Sequence, residues 1–264
     1  MQALVFRLIA PMASWGSIAV GESRHSGTHP SRSALLGLLA AALGLRRDDD
    51  DAHAALSANL RFGIKLHSMG FPLRDFHTVQ VAPELRKQRY RTRRQEIAWP
   101  ERPKLGTLLS AREYRCDSVS IVAVQLADAS GAYSLAQLQK ALERPTFVLY
   151  LGRRSCPLAA PVAARVGQHA TLKSALDSFD AVLLPEWTSA DERDEPPAQR
   201  DLQLRDRLGL GHQWHYYWDS RLGEAGLAPD APPSLTLTQR DEPLSRRRWQ
   251  FTQREEYMRM EVPA

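Results

Sequence analysis

Cysteine is scarce: Cys116 and Cys156 are the only two in 264 residues, and they form no C-x-x-C pair. Two thiols in unrelated contexts make neither a disulfide framework nor a structural zinc site, so a reducing cytoplasm is the expected location. Long apolar runs are missing as well. The longest, Ala34 to Leu45, falls short of the roughly 20 residues that span a bilayer, so no membrane role is expected. The N-terminus, MQALVFRLIA, lacks the basic-then-apolar layout of a secretory signal. There is no Walker pattern, no Gly-rich dinucleotide fingerprint, no Ser/His/Asp signature and no zinc-ligand spacing, so neither a cofactor nor a metal is expected. The acidic run Asp48 to Asp51 has no ligand-loop spacing after it. Its carboxylates suit the N-terminal dipole of a short helix reaching about Leu60.

What is present is globular. Hydrophobic residues make up 43% and charged residues 25%, enough for a packed core. The formal charge is +5. That modest excess favours an anionic partner, and its placement matters more than its sum.

Ala3 to Ala10 alternates like a strand and stops at Pro11. A loop from Ser14 to Pro30 follows, long for a strand-to-helix link. Ser31 or Ser33 caps a helix bearing Leu35, Leu38, Leu39, Ala42 and Leu43, which Gly44 ends. In Arg61 to His67, Phe62, Ile64 and Leu66 face one way, and Arg61, Lys65 and His67 form a basic face. Strands are expected at Leu73 to Val81, Thr107 to Tyr114, Val119 to Leu126 and Thr146 to Leu151. Ser134-x-x-Gln137 is a capping box for a helix with Leu135, Leu138 and Leu142. This order suits an α+β, ferredoxin-like (RRM-like) sheet with one face under helices and one free for RNA. The expected division is a main domain at 1–184, an acidic, proline-containing insertion or linker at 185–238, and a C-terminal segment at 239–264 that packs back on the main domain. Within the insertion, the aromatic run Trp214 to Trp218 reads as core or protein interface.

Cations cluster in RKQRYRTRRQ, Arg86 to Gln95, where six of ten residues are basic and Tyr90 is interleaved. Arginine forks pair with phosphates, tyrosine stacks on bases, and such a run repels itself unless an anion is near. Arg86, Arg89, Tyr90, Arg91, Arg93 and Arg94 are therefore candidate RNA contacts. The loop adds Ser14, Trp15 and Arg24, and the following helix N-terminus, a natural phosphate cradle, adds Arg32 and Ser33. Arg153 and Arg154 extend the positive path, and Lys65, His77 and Arg112 join the candidate set. Arg246, Arg247 and Arg248 form a further basic site, on a strand expected to pack through Trp249 and Phe251 and to expose its arginines. A nuclease would need an acid and a base near RNA. His77, Tyr90, Tyr114 and Lys87 are available, but no spacing marks them as a set, so no catalytic residue is assigned.

The opening block VFRLIAPMASWGSIAVGESRHSGTHPSRSALLGLLAAALG closely resembles the CasD family, the type I-E branch of the repeat-associated (RAMP) CRISPR proteins. The resemblance continues through LRDFHTVQ, LSAREYRCD and RPTFVLYLGRRSCPLAAPV, and resumes at RDEPLSRRRWQFTQREEY. It covers most of residues 1–184 and 239–259, and about 186–237 lies outside it. It implies a modified ferredoxin-like RAMP domain with a protruding basic hairpin, the thumb, at about 82–106. It implies a non-catalytic subunit of the Cascade complex that caps the 5′ handle of crRNA in antiviral defence. The implied partners are crRNA, the large subunit CasA and the backbone subunit CasC, with target DNA reached only indirectly. Type I-C relatives cut RNA, so a metal-independent endoribonuclease is the alternative, and a purely structural bridge is a third reading.

Overall fold

A computed structural model describes residues 1–16, 19, 21–82, 89–98, 105–178, 203, 205–208, 210 and 213–262. The chain runs β1 (Gln2–Ala13), β2 (Ser23–Arg24), α1 (Arg32–Leu43), α2 (Asp50–Asn59), β3 (Leu60–Ser68), β4 (Phe71–Val81) and α3 (Arg93–Ile97). It continues β5 (Gly106–Leu126), α4 (Leu135–Glu143), β6 (Arg165–Gln168), α5 (Leu172–Asp177), β7 (Trp214–Asp219), β8 (Leu235–Ser245) and β9 (Gln250–Glu261). The elements form a mixed helix-and-sheet fold around one sheet in the order β6-β1-β5-β3-β7-β9-β8, antiparallel at every step.

The capping chemistry is local. Ser31 Oγ accepts from Ala34 N, and Gly44 closes α1 in the left-handed region. Ser134 and Gln137 form the reciprocal box that starts α4, and Asp49 caps α2. Alternation along the strands feeds two cores. Leu4, Phe6 and Leu8 of β1, with Phe62, Ile64 and Leu66 of β3, pack under α1, α2 and α4. Ala3, Val5 and Ile9 point the other way, onto Leu172, Ala175 and Leu176 of α5 and onto Leu227, Ala228 and Ala231.

The second sheet face is therefore covered, against the expectation of an open one. The basic face of β3 goes under α5. Lys65 has no exposed surface, and its Nζ donates to Asp177 Oδ1 at 2.7 Å. Tyr216 OH donates to the same oxygen at 2.7 Å, and Lys173 Nζ to Oδ2 at 2.9 Å. Burial pushes the Asp177 carboxyl up, but the hydrogen bonds from Lys173, Lys65 and Tyr216 outweigh it and hold it below the usual range. Tyr216→Phe is expected to lower stability by about 1 kcal/mol, the usual net worth of one such bond. The readout is the urea midpoint at unchanged m-value. A variant as stable as the parent would mean that the two lysines satisfy Asp177 alone.

Two segments differ from their expected form. Thr146 to Leu151 is not a strand: Thr146 N and Phe147 N bond the carbonyls of Ala42 and Ala41, closing the open end of α1. The fourth strand on that side is β6, which pairs with β1. Within the expected linker 185–238, Trp214 to Asp219 is an inner strand between β3 and β9, with Tyr216, Tyr217 and Trp218 buried. Aromatic side chains this large gain most by filling a core, which is why this stretch joins the sheet.

Beyond the sheet, β4 and the first half of β5 pair continuously from Phe71 with Cys116 to Val81 with Gly106. The second half of β5 lies between β1 and β3, and the strand turns between its two roles at Asp117, φ 56°. Gly70, φ 66°, starts β4 where a Cβ would stand 2.1 Å from Cys116 O, so no other residue fits that crossing. The two-stranded ribbon exposes apolar groups on both faces: Phe71, Leu73, Val79 and Leu108 on one, Phe76 and Leu109 on the other.

Candidate nucleic-acid interface

The ribbon carries the exposed cations. Past Ala82, the described chain resumes at Arg89, and Arg89, Arg91, Arg93 and Arg94 are all exposed beside a half-buried Tyr90. Arg86 lies outside the described residues. Thr92 Oγ1 accepts from Gln95 N at 3.3 Å and Gln95 Oε1 accepts from Arg91 N at 3.1 Å, which fixes the short helix α3. Arg93 pairs with Glu96 at 2.6 Å, so part of its charge is compensated. Farther down the ribbon, His77 Nε2 and Asp75 Oδ2 are 2.5 Å apart, and exposed Arg112 stands opposite Asp75 in register.

The loop after β1 is stapled to the base of the ribbon. Ser14 N donates to Leu151 O at 3.0 Å, Gly27 N to Trp15 O at 2.7 Å and Ala111 N to Glu22 O at 2.9 Å. Glu113 gathers the rest: its carboxylate takes His25 Nδ1 at 3.1 Å and Ser26 N at 3.4 Å. Burial pushes the Glu113 carboxyl up, but His25 and the Ser26 amide prevail and leave it below its ordinary value. Its backbone oxygen accepts from Ser14 Oγ at 3.2 Å and from Arg153 Nη1 at 3.1 Å. Arg153 also reaches Arg24 O at 3.3 Å and lies 4.8 Å from the centre of the Tyr114 ring. Gly152, φ 86°, permits this approach, since a Cβ there would meet Ser14 O at 1.8 Å. Arg24 and Arg154 remain exposed.

Several expected contacts are turned inward. Ser14 and Trp15 are buried, because they serve the staple between β1, the ribbon and the 150–156 turn. Lys65 is under α5 with Asp177. Arg32 is 2% exposed. Its guanidinium meets Asp219 Oδ2 at 3.0 Å, Glu242 Oε2 at 2.6 Å, Leu60 O at 3.1 Å and Ser57 O at 2.6 Å. Burial is the largest influence on it and lowers its pKa to about 10, still charged at neutral pH. The N-terminus of α1 does hold an anion, but the anion is internal: Asp241 Oδ2 accepts from Arg32 N at 2.5 Å. Ser33 is half-buried, and its carbonyl accepts from Arg246.

The organising acids Glu113, Asp177, Asp219, Asp241 and Glu242 carry no sequence signal. Each acts through a partner distant along the chain. Ribbon register also separates the candidate acid–base residues. His77 stands opposite Ser110 and Tyr114 opposite Leu73, four positions apart and so about 13 Å at 3.3 Å per residue. Tyr114 is also buried beneath Arg153. Among the described residues no group of three His, Cys, Asp or Glu side chains is arranged to hold a metal ion, and no helix is long and apolar enough to cross a membrane.

Comparison with known proteins places this architecture. The model of the family described as CRISPR-associated protein (Cas_Cas5) matches residues 3–256. The CRISPR system Cascade subunit CasD of Escherichia coli (strain K12) is 34% identical over 187 residues, 68% of this chain and 77% of that protein. A chain of a CRISPR RNA-guided surveillance complex superposes with TM-score 0.57 at 23% identity, covering 98% of this chain and 89% of its own. The crystal structure of a Cas protein gives 0.53 at 21% identity, with 98% and 94% covered. At these identities the two structures show a shared fold alone. The family model spans nearly the whole chain, and the chain belongs to the CasD/Cas5 family of CRISPR-associated proteins.

Proposed function

We propose that the chain is a non-catalytic RNA-binding subunit of a cytoplasmic type I-E Cascade complex, capping the crRNA 5′ handle and contacting CasA and CasC. The observation that carries this reading is the exposed arginine set Arg89, Arg91, Arg93 and Arg94 at the outer end of the β4–β5 ribbon. We read that ribbon, with the described residues at its outer end, as the thumb expected at about 82–106, of which 83–88 and 99–104 lie outside the described residues, and β6-β1-β5-β3 with its helices as a modified ferredoxin-like core. On this reading Arg24, Arg112 and Arg154 extend the phosphate path from the ribbon base. Ser14, Trp15 and Arg153 act as its frame. Single-stranded RNA suits such a surface, because splayed bases stack on aromatic groups while forks of arginine hold the backbone.

The alternative, a metal-independent endoribonuclease, is favoured by one observation, the close His77–Asp75 pair on the ribbon. Incubating the purified protein with repeat RNA, with and without EDTA, separates the two. A shifted band without cleavage in either lane is the expected result. Specific cutting that survives EDTA and disappears in His77→Ala would replace the binding reading with the enzymatic one.

A further inference from the structure

The turn between β8 and β9 carries a cluster that handle binding leaves unused. Arg246, Arg247, Arg248 and Trp249 form the turn, and Arg46 and Arg47 flank it from the α1–α2 connection. The turn is held in shape by Asp50 at the start of α2. Asp50 accepts from Ser245 Oγ at 2.9 Å, Arg246 N at 3.1 Å and Arg247 N at 3.3 Å. Arg248 N adds a bond to Ser245 Oγ at 3.0 Å, and Arg47 Nε donates to Arg246 O at 3.0 Å.

Trp249 stands at the end of this turn with φ 57°. That is left-handed backbone, which glycine adopts freely and a bulky residue only under strain. The sequence-based expectation was that Trp249 packs inward, yet the residue is 59% exposed. The strain is thus not repaid by core burial. The ring is steadied by Phe251, edge-to-face at 5.4 Å, and by the Arg47 guanidinium at 4.9 Å. Arg46, Arg247 and Arg248 are exposed, and their guanidinium groups have no partner among the described residues. A displayed indole amid free arginine forks matches single-stranded nucleic acid, whose bases stack and whose phosphates pair.

Acids bound the cluster. Asp50 is spent on the turn, and Asp49 caps α2 by accepting from Ala52 N at 3.2 Å. Asp48 and Asp51 are exposed at its edge. They offset the long-range attraction of the arginines, so stacking carries more of the affinity than phosphate pairing does. We propose that the β8–β9 turn is a second single-stranded nucleic-acid contact, with a base stacked on Trp249 and flanking phosphates paired with Arg247 and Arg248. None of its described contacts is shared with the ribbon or with the loop after β1, so this site stands apart from handle binding.

The test uses the full chain carrying Arg91→Ala, Arg93→Ala and Arg94→Ala, which silences the ribbon, and fluorescence anisotropy with labelled oligothymidylate. Adding Trp249→Gly is expected to weaken binding at least fivefold, about 1 kcal/mol. The thermal midpoint should hold or rise, because glycine relieves the left-handed strain. Trp249→Phe should restore part of the affinity. The salt slope should be shallow and fall further in Arg247→Ala with Arg248→Ala. In the otherwise natural chain, Trp249→Gly should leave handle-RNA affinity within twofold. No binding by the ribbon-silenced protein, or unchanged affinity after Trp249→Gly, overturns the proposal. Unchanged oligonucleotide affinity with lost co-purification of another subunit would assign the turn to a protein contact instead. An equal loss for handle RNA would merge the turn with the handle site and remove the second contact.

Discussion

Arg32→Ala is expected to cost about 3 kcal/mol of folding stability, the lower end of what breaking a buried ion pair costs. The removed guanidinium is 2% exposed; it donates to Leu60 O, Asp219 and Ser57 O and ion-pairs with Glu242, four partners on four elements. Its loss removes the side-chain donor from the Ser57 carbonyl, leaves the Leu60 carbonyl to Arg61 alone and leaves Glu242 short of its closest cation. The lower end applies because Arg221 still holds Asp219 through Nη2 at 2.6 Å and Nε at 2.8 Å. The cost should depend on pH. Burial pushes the Asp219 carboxyl up, but the Arg221 hydrogen bond and the charges of Arg32 and Arg221 hold it below its ordinary value. Glu256 is likewise lowered: burial works against it, and His29 and Arg254 overcome the penalty. A carboxyl depressed in the folded state stabilises above its unfolded pKa of about 4 and loses that contribution as pH falls through its folded value. The parent should therefore weaken on acidification below about pH 4, and Arg32→Ala should weaken less over the same interval. Urea unfolding at neutral pH and near pH 3 measures both slopes. A variant of parental stability at neutral pH would mean that the network is replaceable and that Arg32 is available for other work.

The second large effect is on RNA. Replacing Arg91, Arg93 and Arg94 together by alanine is expected to weaken handle-RNA binding at least tenfold, about 1.4 kcal/mol. Each lost phosphate contact flattens the single-strand salt slope by about 0.7. Arg91 and Arg94 are exposed and without ion-pair partners among the described residues, so they should contribute in full. Arg93 shares its charge with Glu96, so the total flattening should lie between about 1.4 and 2.1. The fold should be unaffected, since all three side chains are exposed and the bond that fixes α3 uses the Arg91 backbone amide. Salt titration of binding and a urea curve on the same preparation decide the matter. Unchanged affinity and slope in a folded triple variant would remove the ribbon from the RNA surface.

Elements whose causes are local were legible in the residues. The caps at Ser31 and Ser134, the stop at Gly44, the alternation of β1 and β3 and the basic run ending at Gln95 all act within a few positions of themselves. The family was legible for a related reason: its motifs are contiguous blocks, and they fall where the sheet is assembled. Pairings across distance were not legible. Lys65 was read onto a basic face opposite Phe62, Ile64 and Leu66, and that face is buried because α5, 112 residues away at Asp177, packs over it. An RNA phosphate was expected at the N-terminus of α1, because free amides and the helix dipole attract an anion, but an internal carboxylate takes that place. That it is Asp241, 209 residues on, is decided by how β8 packs. The sequence by itself determined the helices α1, α2 and α4, the strands β1, β3 and β4 and the two halves of β5, which residues are cations and which family the chain joins, since propensity, capping and contiguous motifs are local properties. Only the tertiary structure decided which cations remain for an external partner. Two arginines with identical intrinsic chemistry part ways once a distant carboxylate enters the core beside Arg32 and nothing comparable among the described residues reaches Arg91.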